Sequence, residues 1–152
     1  MAETGAPVAD AIVDAEVVAA FAADGPLARR LPGYRERPQQ VAMALSVARA
    51  IRAQGRLVAE AGTGTGKTFS YLVPALLAGG KVIVSTGTKT LQDQLYERDL
   101  PLVREALRSP ATLALLKGRA NYLCLHHLER TSHEGRLPSR EGARHLAKSA
   151  RW

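Results

Sequence analysis

Glu60-Ala61-Gly62-Thr63-Gly64-Thr65-Gly66-Lys67-Thr68 is the stretch on which the reading of this chain turns. It follows a short apolar run, Leu57-Val58-Ala59, and opens into an apolar segment of helical character from Phe69 to Leu77. Strand, loop and helix in that order are the setting of a phosphate-binding P-loop. Glycines at 62, 64 and 66 let the backbone curl until successive N–H groups face one concavity, an anion site at a helix N-terminus. Residues Ala61, Gly62, Thr63, Gly64, Thr65 and Gly66 are expected to wrap the phosphates of ATP. Lys67 would place its ammonium on the β- and γ-phosphates, and the Thr68 hydroxyl would complete a Mg²⁺ shell. Ala61 stands where the usual pattern has glycine. A Gly/Thr-rich surface turn that binds nothing is the alternative, and the intact Gly-Lys-Thr ending behind a strand argues against it.

At 152 residues the chain is expected to be one domain with room for a core. No apolar run approaches the ~18 residues of a membrane span, and the acidic N-terminus is unlike a secretory signal. The single cysteine excludes an intrachain disulfide framework and fits a reducing cytoplasm. Formal net charge is +7, unevenly placed. Residues 1–30 carry Glu3, Asp10, Asp14, Glu16 and Asp24 against only Arg29 and Arg30, so the basic excess lies in the rest. That excess suits a polyanionic partner, nucleic acid first, or equally a solvated arginine-rich surface.

Taken in order, residues 1–9 read as disordered. Ile12, Val13, Val17, Val18 and Phe21 recur at helical spacing, which predicts an amphipathic helix from Asp10 to Ala23 that Gly25-Pro26 ends. Leu27 to Arg37 is loop. Pro38 opens a second helix, to about Gln54. Arg56–Glu60 is the strand before the P-loop, and the helix after it runs from Gly66 to about Ala78, with Pro74 as an internal blemish. Lys81–Ser85 reads as a second strand of the buried parallel kind. Thr88 is placed to cap a helix that continues to about Leu107. Thr112–Leu116 is a third strand. A turn at Lys117-Gly118, a helix around Asn121–Arg130, a loop at 135–139 and a final polar helix follow. This alternation predicts an α/β fold with a parallel sheet flanked by helices. Three strands are few, and no Asp-Glu pair follows a later strand, so the chain is expected to be the front portion of a larger domain.

Four stretches together resemble the DinG/XPD-like iron–sulfur DNA helicases of superfamily 2, most of all the bacterial DinG/YoaA branch. They are Tyr34-x-x-Arg37-Pro38-x-Gln40, the P-loop, Val84-Ser-Thr-Gly-Thr-Lys-Thr-Leu-Gln-Asp-Gln-Leu95, and Leu116-Lys-Gly-Arg-Ala-Asn-Tyr-Leu-Cys124. The resemblance covers roughly residues 25 to 150. It implies an N-terminal fragment of an ATP-dependent DNA helicase, acting in DNA repair or replication restart. The fold it implies is a partial RecA-like P-loop NTPase domain, truncated at the start of the iron–sulfur insertion. Its parts would be an N-terminal helix or tail (1–24), the front of the ATP-binding domain (25–116) and an incomplete insertion (117–152).

By the same resemblance, Gln40 matches the adenine-reading glutamine, whose amide offers a donor and an acceptor at once. An exposed helix-start glutamine is the plainer reading of it. Ser85, Thr86 and Thr88 match a motif that grips single-stranded DNA, where hydroxyls and N–H groups meet phosphates; a simple cap and turn is the alternative. Cys124 matches the first of four ligands of a [4Fe–4S] cluster. One cysteine cannot hold such a cluster, so none is expected on this chain alone. Without the resemblance, Cys124 reads as a buried thiol on an apolar helix face. His126 and His127 point to different faces of a helix and read as surface residues. Lys117, Arg119, Arg130, Arg136, Arg140, Arg144 and Lys148 make the C-terminal quarter basic. The implied partners are single-stranded or forked DNA, with no membrane.

Two rival functions remain at this stage. A stand-alone P-loop ATPase unrelated to DNA would need its own base, for which Glu60 is the nearby candidate. A non-catalytic nucleic-acid-binding module would carry the P-loop as a vestige.

Overall fold

The computed structural model describes residues 14–62, 64–134 and 139–149. The disorder expected for residues 1–9, the start of the first helix, Thr63, Arg136 and most of the loop expected at 135–139 lie outside them. The chain divides into two compact units, Met1–Ala114 and Leu115–Trp152.

The first unit is built on three helices. Helix α1 (Asp14–Phe21) carries Asp14 and Glu16 in its first turn, where the helix dipole favours acids. Its Val17, Ala20 and Phe21 are buried, three and four residues apart as one helical face requires. Helix α2 (Pro38–Arg52) opens on a proline, and Arg37 before it is extended at φ −129°, as a residue preceding proline prefers. Gln40, Ala44 and Ala48 form its buried face; the two alanines let the backbone of α3 come close.

Helix α3 (Lys67–Ala78) follows the glycine-rich loop and ends at Gly79 and Gly80, both at positive φ. Pro74 lies buried inside it and does not end it. The α2–α3 pair is the largest helix contact of the unit, and α1 packs on both. Phe21, Leu27, Leu72, Val73 and Val103 are fully buried where these elements meet. The Tyr34 hydroxyl donates to the Phe21 carbonyl at 2.7 Å, and Arg52 pairs with Asp14 at 2.6 Å. These contacts tie α1 to the segment that leads into α2 and to the last residue of α2.

The helix expected from Thr88 to Leu107 is present but broken in register. Thr88 caps α4 (Lys89–Gln94), its hydroxyl accepting from the Leu91 N–H at 3.2 Å. A π-helical turn (Leu95–Asp99) follows, then α5 (Leu100–Ala106). Pro101 supplies the cause: it has no N–H to continue the α ladder, and the Leu100 N–H instead reaches back five residues to the Leu95 carbonyl. Asp99 is buried there, its carboxylate accepting from Gln94 Nε2 at 3.1 Å and Arg98 Nε at 2.9 Å.

The sheet is where expectation and structure part. Among the described residues none is in a β-strand, and 56–60, 81–85 and 112–116 are irregular. A parallel strand holds only when both its faces are covered. Here Val58 is 99% exposed and Ile83 95%, so the burial that would support a ladder is not made.

In the second unit a 3₁₀ turn (Arg119–Asn121) precedes α6 (Leu125–Glu134) and α7 (Arg140–Ser149). The Lys117 N–H donates to the Tyr122 hydroxyl at 2.8 Å, closing the turn. Among the described residues no helix is long and apolar enough to cross a membrane.

Candidate nucleotide-binding site

The loop before α3 bends at two of its glycines. Gly64 and Gly66 both adopt left-handed φ, 77° and 81°, on either side of Thr65. Gly66 is also the cap of α3, so the curl ends at the positive pole of that helix. A side chain at Gly66 has no room: a Cβ there would lie 2.1 Å from Gln40 Nε2.

Four loop carbonyls accept from identified donors. Lys67 Nζ donates to Ala61 O at 2.6 Å, and Thr65 Oγ1 to Gly62 O at 2.9 Å. The Arg37 guanidinium donates to Gly64 O. Gln40 Nε2 donates to Gly66 O at 2.9 Å, beside the Phe69 and Ser70 N–H groups of the first helical turn. Ser70 Oγ in turn donates to the Gln40 carbonyl at 3.1 Å, so the start of α2 and the start of α3 are laced together.

Gln40 is buried rather than an exposed helix-start residue, with its amide engaged by the loop. Lys67 is exposed, and its ammonium folds back on its own loop. Thr68, half-buried, stands in the first turn of α3, three residues before Tyr71. Burial raises the Tyr71 hydroxyl above its usual pKa, the Thr68 side chain draws it down and the Asp99 charge pushes it up. Tyr34 is likewise raised, chiefly by burial and then by Glu36, against a lowering by Arg37.

The donor set suits a magnesium-bound polyphosphate: a glycine curl at a helix start, an exposed ammonium and a hydroxyl on the first helical turn. Arg37 and Ser70 also hydrogen-bond to carbonyls of this loop, and sequence reasoning gave neither a role.

Ser85 and Thr88 are exposed and Thr86 half-buried, with Thr86 Oγ1 donating to Thr88 O at 3.3 Å. Cys124 is exposed, just before α6, which corrects the buried thiol expected from its apolar neighbours. Leu123 and Leu125 beside it are exposed as well, so no apolar face shelters the sulfur. His126 and His127 are both exposed, with their rings 5.6 Å apart and edge-on. Among the described residues no group of three or more His, Cys, Asp or Glu could hold a metal ion. The residues present do not fit a [4Fe–4S] cluster, which takes four thiolates.

The profile of the DEAD/DEAH box helicases matches residues 39–127. The chain is 49% identical over 132 residues to "ATP-dependent DNA helicase YoaA" of Haemophilus influenzae, covering 87% of this chain and 21% of that protein. It is 57% identical over 115 residues to the protein of the same name from Escherichia coli (76% and 18%). To "ATP-dependent helicase DinG" of Mycobacterium tuberculosis it is 44% identical over 124 residues (73% and 18%). The chain thus spans about a fifth of the length of these curated relatives. No solved structure matches it.

Proposed function

The chain belongs to the DEAD/DEAH box helicase family and resembles its YoaA and DinG members, and we propose that it forms the ATP-binding portion of a DNA helicase. The observation that carries this reading is the loop with left-handed Gly64 and Gly66 running into α3. In this reading the N–H groups from Gly62 to Thr68 receive the phosphates, and Lys67 leaves the Ala61 carbonyl for the β- and γ-phosphates. Thr68, on the first turn of α3, would offer its oxygen lone pairs to Mg²⁺. The metal's part is to neutralise charge on the transferred phosphoryl group. Gln40 keeps a second amide hydrogen and an acceptor oxygen, which together suit adenine N7 and N6.

Segments 56–60, 81–85 and 112–116 are assigned to the parallel sheet of a RecA-like core, with residues 117–152 as the start of an insertion. Ser85, Thr86 and Thr88 are assigned to phosphates of single-stranded DNA in a cytoplasmic enzyme of DNA repair or replication restart. The sequence has no Asp-Glu pair to help hold the metal and the attacking water. The chain by itself is therefore expected to bind nucleotide weakly at best, with negligible turnover. Steady-state ATPase assays with and without single-stranded DNA test this. Background rates in both support it; DNA-stimulated turnover abolished by Lys67→Ala would show a self-sufficient enzyme.

A further inference from the structure

The carbonyls of Gly64 and Gly66 are both taken by side chains from one turn at the start of α2. Arg37 reaches the first and Gln40, three residues on, the second. We infer that Arg37 is a positioning residue of the phosphate site, holding the glycine curl in the orientation that receives a polyphosphate. The inference rests on the nucleotide reading of the same loop.

Glycine takes either sign of φ with similar ease, so a loop with three glycines does not fix its own peptide planes. In a trans peptide the carbonyl and the following N–H point in opposite directions. Holding Gly64 O toward α2 therefore turns the Thr65 N–H away from α2. Holding Gly66 O there does the same for the Lys67 N–H. A flip of the first plane would aim a carbonyl oxygen, rather than an N–H, at an incoming phosphate. Arg37 is well fixed for the task. Its backbone is extended ahead of Pro38, and the turn it begins is anchored by buried Gln40. A guanidinium donor to a carbonyl is a charge-assisted bond and holds its acceptor more strongly than a neutral one.

The test measures binding of MgATP, MgGTP and inorganic tripolyphosphate to the 152-residue chain carrying Arg37→Gln, Arg37→Lys or Arg35→Gln. Arg37 is exposed, and the fold is expected to survive its replacement. Arg37→Gln should weaken all three ligands by the same factor, about tenfold for a charge-assisted bond. Arg37→Lys should recover part of the loss, and Arg35→Gln, an equal loss of charge two residues away, should have little effect. Three results overturn the inference alone: unchanged binding in Arg37→Gln, a loss confined to ATP, or an equal loss in Arg35→Gln. If the unaltered chain binds neither ATP nor tripolyphosphate, the nucleotide reading beneath the inference falls too.

Discussion

Gly66 and Gln40 stand so close that a single methyl group would separate them: a Cβ at residue 66 would sit 2.1 Å from the Gln40 amide nitrogen. Gly66→Ala therefore meets two penalties, the clash and a φ of 81° that alanine resists. Together they should destabilise the chain by about 2–3 kcal/mol. Gly87→Ala is the matched control, with nothing within 4 Å of its Cβ. It should change stability by no more than about 0.5 kcal/mol. Urea unfolding of the two variants reads the difference.

Gln40 should tolerate neither loss nor charge. Gln40→Ala removes the donor to Gly66 O and should cost about 1 kcal/mol, since two backbone N–H groups still serve that carbonyl. Gln40→Glu is expected to cost more at neutral pH, because a buried carboxylate faces the carbonyl with no proton to donate. Acidification should narrow that gap as the carboxyl regains a hydrogen. Unfolding midpoints of the two variants at pH 7 and pH 5 check the narrowing.

Helix α1 is part of the core rather than an appendage to it. Phe21 is fully buried against the other helices, so Phe21→Ala should cost about 3–5 kcal/mol. Tyr34→Phe, which deletes only the bond to the Phe21 carbonyl, should cost about 1 kcal/mol. Thermal or chemical denaturation of both variants measures this. A Phe21→Ala protein as stable as the parent would contradict the packing.

Alkaline pH should loosen the first unit. Tyr34 and Tyr71 are both raised, mainly by burial, so their neutral forms are favoured by folding. The associated stability is fully present below the unfolded tyrosine value of about 10. It is lost as pH climbs through the raised folded values. Urea midpoints should be flat near pH 8–9 and fall beyond about pH 10. The doubly substituted Tyr34→Phe/Tyr71→Phe protein should show a shallower fall.

Much of this was legible in the residues because it is local. Pro38 marks the start of α2, Gly79-Gly80 the end of α3, and Thr88 the cap of α4; each acts within a few bonds of itself. The glycine spacing at 62, 64 and 66 likewise led to two left-handed residues where the loop needs them. The break at Leu95–Asp99 was written in Pro101 but passed over, because the apolar spacing of that stretch reads as one continuous helix.

What local pattern could not tell was whether the apolar runs at 56–60 and 81–85 would find neighbours. Their composition is that of buried strands, yet a strand exists only as a pair, and the covering of Val58 and Ile83 is a tertiary matter. Arg37 and Ser70 were invisible for a similar reason. Their partners, Gly64 and the Gln40 carbonyl, lie 27 and 30 residues away along the chain. Cys124 was misjudged by its neighbours: Leu123 and Leu125 suggested shelter, and both are themselves exposed.

The most direct measurement is a calorimetric titration of MgATP into the chain and into its Lys67→Ala variant, with tripolyphosphate as competitor. The loop before α3 is held to be a triphosphate cradle. The chain should then bind MgATP, tripolyphosphate should displace it, and Lys67→Ala should weaken binding by at least about tenfold. Equal affinity in the two proteins, or no heat of binding in either, would contradict the account.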